Sequence, residues 1–181
     1  SNTNSYLRQP QFEALEVYIF LKEYLDNKPV HQIFREWMNK EGKFQLRSDV
    51  SSQAGQLNFL EVLTKEQYEP IFERMRSNAR VYSNYIFALT MGTGKTILMA
   101  TCIFYEFILA NKFPKDEKYC HNALVFAPDK TVLQSLREMQ TFDMSKVVPP
   151  EYVNFLSTHI QYHFLDEAGT ALSVLDKSSF N

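Results

Sequence analysis

The sequence predicts an α/β fold in which a parallel sheet with flanking helices follows a helical N-terminal segment. After residue 80, short apolar runs alternate with helical stretches in the order strand, helix, strand, helix. This order is typical of parallel sheets. Before residue 80, apolar residues recur at helical spacing. We therefore expect a helical extension over 1–80 and the α/β domain over 81–181.

Composition agrees with a folded globular chain. The 181 residues are 45% hydrophobic and 22% charged, and include 15 Phe and 10 Tyr, so a core can form. The net charge of −2 neither indicates nor excludes a nucleic-acid partner, because a basic stripe can lie within a neutral total. No signal peptide or membrane-length apolar run is recognised. We therefore expect no membrane partner. Cys102 and Cys120 lack the spacing of a metal site, so we expect reduced thiols in a cytoplasmic protein.

Three helices are predicted in the extension, over 9–26, 29–40 and 64–79. Pro10 stands in the first turn of the first helix, where proline is tolerated. Thr64 precedes the third helix and Gln67 follows three residues later, which is the pattern of a capping box. The polar stretch over 42–58 predicts a loop.

The α/β region is predicted from two strands, over 84–91 and 122–128, and two helices, over 95–112 and 130–142. Each strand is a short apolar run closed by glycine or proline, which is typical of a buried strand. Residues 96–110 are the most apolar stretch of the chain. Since this stretch is shorter than a membrane span, it favours a buried helix.

The stretch TMGTGKT (90–96) lies between a predicted strand and a predicted helix, as a phosphate-binding loop requires. Gly92 and Gly94 allow the backbone to close around phosphate oxygens, toward which the N–H groups point. Lys95 is predicted to reach the terminal phosphates, and the Thr96 hydroxyl to bind Mg²⁺. The predicted nucleotide-binding residues of the loop are Thr90, Met91, Gly92, Thr93, Gly94, Lys95 and Thr96.

The loop departs from the strict G-x-x-x-x-G-K-[S/T] pattern at Leu89, the first glycine position. With that departure, MGTGKT resembles motif I of superfamily 2 helicases and translocases. LRQPQFEAL (7–15) resembles the Q-motif region of the same superfamily. This resemblance implies that Gln11 contacts the adenine of ATP, with Arg8 beside it. An amide carries a donor and an acceptor side by side, which match one edge of adenine.

LVFAPDKTVLQS (124–135) resembles motif Ia, which touches the nucleic-acid backbone in that superfamily. The resemblance implies that Lys130 contacts DNA as a point charge. Asp129 stands where the family has threonine, and its negative charge opposes such a contact. A plain strand-to-helix turn is the alternative interpretation.

The amino-acid sequence of residues 7–25, and the long spacing between this segment and the loop, most resemble those of the helicase subunit of type III restriction enzymes. This resemblance implies a partial RecA-like P-loop NTPase domain that uses ATP and Mg²⁺. The whole enzyme would be an ATP-dependent DNA helicase or translocase of a restriction–modification system. Its implied partners are double-stranded DNA and a modification (methyltransferase) subunit.

Asp166 and Glu167 are open to two interpretations. They resemble the catalytic acidic pair of a motor ATPase, which ends a buried and continuously apolar strand. HIQYHFLDE (159–167) instead alternates apolar and polar residues, as a half-exposed strand does. Gly169 and the apolar stretch 170–176 favour a β-hairpin. On the hairpin interpretation the chain ends before motif II, and the fragment is expected to bind nucleotide but hydrolyse little.

Two further functions stay open. A P-loop phosphotransferase uses the same kind of loop, although such enzymes usually retain the glycine that Leu89 replaces and need no counterpart of Gln11. A nucleotide-binding interaction domain without catalysis is the second alternative.

Overall fold

The computed structural model describes residues 6–44, 64–126, 130–164 and 179–181. Within these ranges the chain forms six α-helices: α1 (Gln9–Ile19), α2 (Val30–Met38), α3 (Lys65–Ser77), α4 (Lys95–Lys112), α5 (Lys130–Thr141) and α6 (Pro150–His159). A π-helical turn (Phe20–Tyr24) continues α1, and single 3₁₀ turns cover Gly42–Phe44 and Met144–Lys146.

The five predicted helices are confirmed, and α4 has the predicted bounds. Local signals account for this agreement. The backbone N–H of Thr64 donates to Oε1 of Gln67 at 2.8 Å, which is one half of the predicted capping box. The apolar stretch over 96–110 is a buried helix, as expected, with Leu98, Ala100, Thr101, Phe104, Glu106, Phe107 and Ala110 buried.

The predicted parallel sheet is wrong, because the described residues contain no β-strand or sheet. They therefore do not form the expected α/β, RecA-like architecture. The runs predicted as strands have no regular structure at residues 84–90 and 122–126. Ile86 is 96% exposed and Phe126 is 81% exposed. An apolar run favours burial, but a strand also requires a neighbouring backbone with which to pair.

One piece of parallel pairing does occur, between short extended segments. Ile160 and Phe180 form an isolated parallel bridge. On the other side of that segment, the N–H of Asn181 donates to the carbonyl of His121 at 3.3 Å, and the carbonyl of Asn181 accepts from the N–H of Ala123 at 2.7 Å. Phe180 is buried, so this segment fills part of the core rather than an edge.

The predicted strand over 159–167 is also wrong in its described part, since α6 extends through His159 and only Ile160 bridges. The alternating burial that suggested a strand is nevertheless present. Gln161 and His163 are exposed, whereas Tyr162 is half-buried, and burial raises the pKa of the Tyr162 hydroxyl. The alternation of apolar and polar residues therefore predicted the burial of the side chains correctly, although the backbone does not form the hydrogen-bonded ladder of a strand.

The chain divides into two compact units, Ser1–Leu15 with Leu89–Asn181, and Glu16–Ala88. The first unit contains a core around α4, in which Phe104 and Phe107 are each 1% exposed. This unit also includes both the segment around residue 11 and the 90–96 loop. The boundary predicted at residue 80 would place the two in different domains.

The unit Glu16–Ala88 contains α2 and α3, which pack together. Asp26 and Asn27 adopt positive φ angles of 56° and 53°, which turn the chain between the π-helical turn and α2. The Tyr85 hydroxyl lies 3.2 Å from Oδ1 of Asn27. Lys28 pairs with Glu36 at 2.9 Å. These contacts fix the turn that precedes α2.

The two cysteines are free and differ in environment. Burial, followed by the nearby Glu106 carboxylate, raises the pKa of the Cys102 thiol from 9.0 to about 11, whereas Cys120 is exposed. Because alkylation requires the thiolate, we expect iodoacetamide at about pH 8 to modify Cys120 much faster than Cys102. Peptide mass mapping measures the two rates, with the urea-unfolded chain as control. Equal rates in the folded chain would contradict the burial of Cys102.

Candidate phosphate-binding site

The loop over 90–96 has a backbone that requires glycine at two positions. Gly92 and Gly94 have φ angles of +76° and +79°, in the left-handed region that costs other residues about 1–2 kcal/mol. Gly94 is the N-cap of α4, and its carbonyl accepts from the N–H of Leu98 at 3.2 Å. The two glycines predicted from sequence therefore shape the turn that delivers the chain into α4.

Positive charge lies at the start of α4. Lys95 is its first residue and is exposed, and its Nζ donates to the carbonyl of Thr90 at 3.0 Å. The Thr93 hydroxyl donates to the same carbonyl at 2.7 Å. Thr96 is half-buried in the first turn. The N–H groups of a first turn have no partner within the helix, and the helix dipole favours an anion there.

The N-terminal segment contacts the loop directly. Nη1 of Arg8 donates to the carbonyl of Gly92 at 2.6 Å, and Nε2 of Gln11 donates to the carbonyl of Gly94 at 2.8 Å. Oε1 of Gln11 accepts from the N–H of Arg8 at 2.8 Å. Gln11 is only 2% exposed. The two segments that were predicted to share one nucleotide site are thus in contact, although the bonded residues are 83 and 84 positions apart in sequence.

Aromatic packing anchors this segment on the core of its unit. The ring of Tyr6 lies 5.9 Å from that of Phe142, and Phe142 stacks on the buried Phe104 at 6.4 Å. Aromatic pairs of this kind contribute about 0.5–1.5 kcal/mol beyond the area that they bury. Tyr6 was not predicted as a site residue, since nothing in its local sequence marks the contact with Phe142.

The sequence also missed the role of Gln11 in the start of α1. The carbonyl of Arg8 accepts from the N–H of Phe12 at 3.0 Å, so Arg8 is the N-cap and Gln11 is the third helical residue. The side chain at that position reaches back to the N-cap N–H in a capping box. The spacing of Arg8 and Gln11 is that of a capping box, but the sequence signal was incomplete because the usual N-cap residue is Ser, Thr, Asp or Asn rather than Arg.

Of the other predicted site residues, only the side chain of Met91 lies within the described part of the structure. Met91 belongs to the loop, but it is 96% exposed. Lys130 is the first residue of α5. Asp166 and Glu167 lie outside the described residues, so the choice between catalytic pair and hairpin turn is untested.

The donor set fits a magnesium-bound triphosphate. Among the described residues, no group of three or more His, Cys, Asp or Glu side chains is placed to hold a metal ion. Mg²⁺ is commonly held by one or two protein oxygens together with substrate phosphates and water. The Thr96 hydroxyl beside Lys95 and the two glycines is consistent with that arrangement.

Within the described ranges, every helix is too short or too polar to cross a membrane. Comparison of this chain with protein-family models, curated proteins and solved structures gives no match.

Proposed function

We propose that the loop over 90–96 binds the triphosphate of ATP together with Mg²⁺. The observation that carries the proposal is the ammonium of Lys95 in the first turn of α4, directly after two left-handed glycines. The N–H groups of that turn, which have no partner within the helix, and the helix dipole add to the attraction of the ammonium for phosphate. An exposed cation next to backbone donors is the chemistry that phosphate groups require.

Lys95 and Thr96 have distinct roles in this proposal. An ammonium has three donors, so Nζ of Lys95 can keep its 3.0 Å bond to the carbonyl of Thr90 while it donates to the terminal phosphates. Charge held in place before the reaction stabilises the charge that develops during phosphoryl transfer. The Thr96 hydroxyl supplies one oxygen to the metal ion, which neutralises phosphate charge when bound.

The wider proposal is that this site belongs to an ATP-dependent DNA helicase or translocase of a restriction–modification system. It rests on the resemblance of residues 7–15, 90–96 and 124–135 to superfamily 2 motifs, and takes no support from the fold. Duplex DNA is the proposed partner, with Lys130 on its backbone and a methyltransferase subunit as a protein partner. Faster ATP turnover in the presence of duplex DNA would support this assignment.

Lys95→Ala is expected to weaken MgATP binding about 10- to 150-fold, because a hydrogen bond to a charged group contributes about 1.5–3 kcal/mol. Isothermal titration calorimetry measures the affinity. Lys112→Ala is the matched control, since Lys112 is the last residue of the same helix. Unchanged binding in Lys95→Ala, or an equal loss in Lys112→Ala, would contradict the proposal.

Further assays separate the alternative functions. Phosphoryl transfer from ATP to a nucleoside, without stimulation by DNA, would favour a phosphotransferase. MgATP binding without turnover, with or without DNA, would favour an interaction domain. ATP turnover that is abolished by Glu167→Gln, with the fold intact, would favour Asp166 and Glu167 as a catalytic pair.

A further inference from the structure

We infer that Arg8 and Gln11 position the phosphate loop by holding its carbonyl groups, and that Gln11 does not read the nucleotide base. The inference rests on the proposed nucleotide site and changes what its N-terminal part recognises. It assigns these two residues to the triphosphate end of the ligand. Loss of either residue should therefore lower the affinity for nucleotides with different bases, and for inorganic triphosphate, by the same factor.

The amide of Gln11 is already engaged at both ends. Oε1 accepts from the N–H of Arg8 at 2.8 Å and caps α1. Nε2 donates to the carbonyl of Gly94 at 2.8 Å. Recognition of adenine by an amide uses this same pair of atoms side by side. Each of the two atoms has a second bonding position, but the residue is only 2% exposed. A base could therefore reach this edge only if the segment that buries Gln11 moved away.

The two carbonyl contacts set the direction of the neighbouring N–H groups. In a planar trans peptide, the N–H points opposite to the C=O of the same unit, and the described chain has no cis peptide bond. Because the carbonyls of Gly92 and Gly94 point toward Arg8 and Gln11, the N–H groups of Thr93 and Lys95 point away from them. The Gly94 carbonyl also accepts from the N–H of Leu98 at 3.2 Å, so Gln11 adds to an orientation that α4 already favours. Arg8 and Gln11 thus hold two loop donors toward the face that the proposed site assigns to phosphate oxygens.

The holding residues are themselves fixed independently of the loop. Arg8 is the N-cap of α1, with its carbonyl bonded to the N–H groups of Gln11 and Phe12 at 2.9 and 3.0 Å. Two residues earlier, Tyr6 packs on Phe142. A loop of two left-handed glycines has little stiffness of its own, so contacts from an anchored segment restrict its conformations before ligand binding.

The test compares three ligands, each with Mg²⁺: ATP, GTP and inorganic tripolyphosphate. The variants are Gln11→Leu and Arg8→Met. Gln9→Leu is the control, because Gln9 lies on the same helical turn but its amide donates to Glu13 at 2.8 Å instead of to the loop. Calorimetry on the whole chain gives the affinities. Thermal unfolding checks that each variant folds.

We expect Gln11→Leu and Arg8→Met each to lower the affinity for all three ligands by the same factor, about five- to tenfold, which is the effect of losing one hydrogen bond. Gln9→Leu should leave all three affinities unchanged. The common factor is the decisive readout, because a role in base recognition would spare tripolyphosphate. If Gln11→Leu does not fold, Arg8→Met decides the question, since the Arg8 contact is exposed.

Two results would overturn the inference. The first is a loss for ATP in Gln11→Leu while GTP and tripolyphosphate keep their affinity, which would make Gln11 a reader of adenine. The second is unchanged affinity for every ligand in both variants, which would mean that the bonds to Gly92 and Gly94 do not position the loop. A wild-type chain that binds none of the three ligands is distinguishable from both, and refutes the proposed function itself.

Discussion

Gly94→Ala is expected to destabilise the loop and weaken MgATP binding more than Gly92→Ala, although both glycines have left-handed backbones. Their φ angles of +79° and +76° imply the same strain for alanine, about 1–2 kcal/mol. Their surroundings differ. A Cβ on Gly94 would lie 2.6 Å from Nε2 of Gln11, whereas nothing lies within 4 Å of a Cβ on Gly92.

The clash with Gln11 is destabilising because the side chain cannot move aside without losing a hydrogen bond. Displacing Nε2 breaks its bond to the carbonyl of Gly94 and leaves a buried amide without that partner, which costs about 1–3 kcal/mol. Added to the backbone strain, Gly94→Ala is expected to cost about 2–5 kcal/mol. Gly92→Ala should cost only the strain.

Urea unfolding and MgATP titration of both variants measure these effects. A third variant, Gly94→Ala with Gln11→Ala, removes the clash and leaves the strain. Its cost relative to Gln11→Ala should fall to that of Gly92→Ala, because the coupling of the two sites is then absent. Equal costs for the two single glycine variants would contradict the described contact between Gln11 and Gly94.

Helices could be predicted from the sequence where their signals are local. α4 begins after Gly94 and contains an unbroken apolar stretch, and α3 follows Thr64 with Gln67 at the capping position. Such signals lie within a few residues of the boundary that they define. α6 was missed because Pro149 and Pro150 indicate a break, although proline is also accepted in the first helical turn, where Pro150 lies.

Strands could not be predicted with the same success, because pairing is not a local property. The runs over 84–91 and 122–128 are apolar enough for buried strands, but their described residues lack a sheet. A helix satisfies its backbone internally, whereas a strand depends on segments distant in sequence. Periodicity reports which residues prefer burial, and does not specify the backbone that covers them.

The residues of the candidate site also differ in whether their roles depend on local sequence or on contacts between distant segments. Lys95 and the two glycines were predicted because their pattern is contiguous in sequence. Gln11 was also predicted, but its expected contact was the adenine base. Its contacts with the loop carbonyl of Gly94 and the N-cap N–H of Arg8 became visible only with the tertiary structure, since one of them spans 83 residues.

Phe104→Ala is expected to destabilise the chain by about 3–5 kcal/mol, the usual cost of emptying a buried aromatic site. Phe104 is 1% exposed and stacks on Phe142, which also contacts Tyr6. The cavity would therefore lie beneath the segment that anchors Arg8 and Gln11. Urea unfolding measures the stability, and MgATP titration of the folded fraction should show weaker binding as well.

Phe126→Ala is the matched control, and it also discriminates between the helical architecture and the predicted sheet. Phe126 belongs to the same unit but is 81% exposed, so its removal should change stability by no more than about 0.5 kcal/mol. A central strand over 122–128 would bury this side chain on a face of the sheet. A cost for Phe126→Ala comparable to that of Phe104→Ala would therefore contradict the exposed position of Phe126 and the absence of a covered strand there.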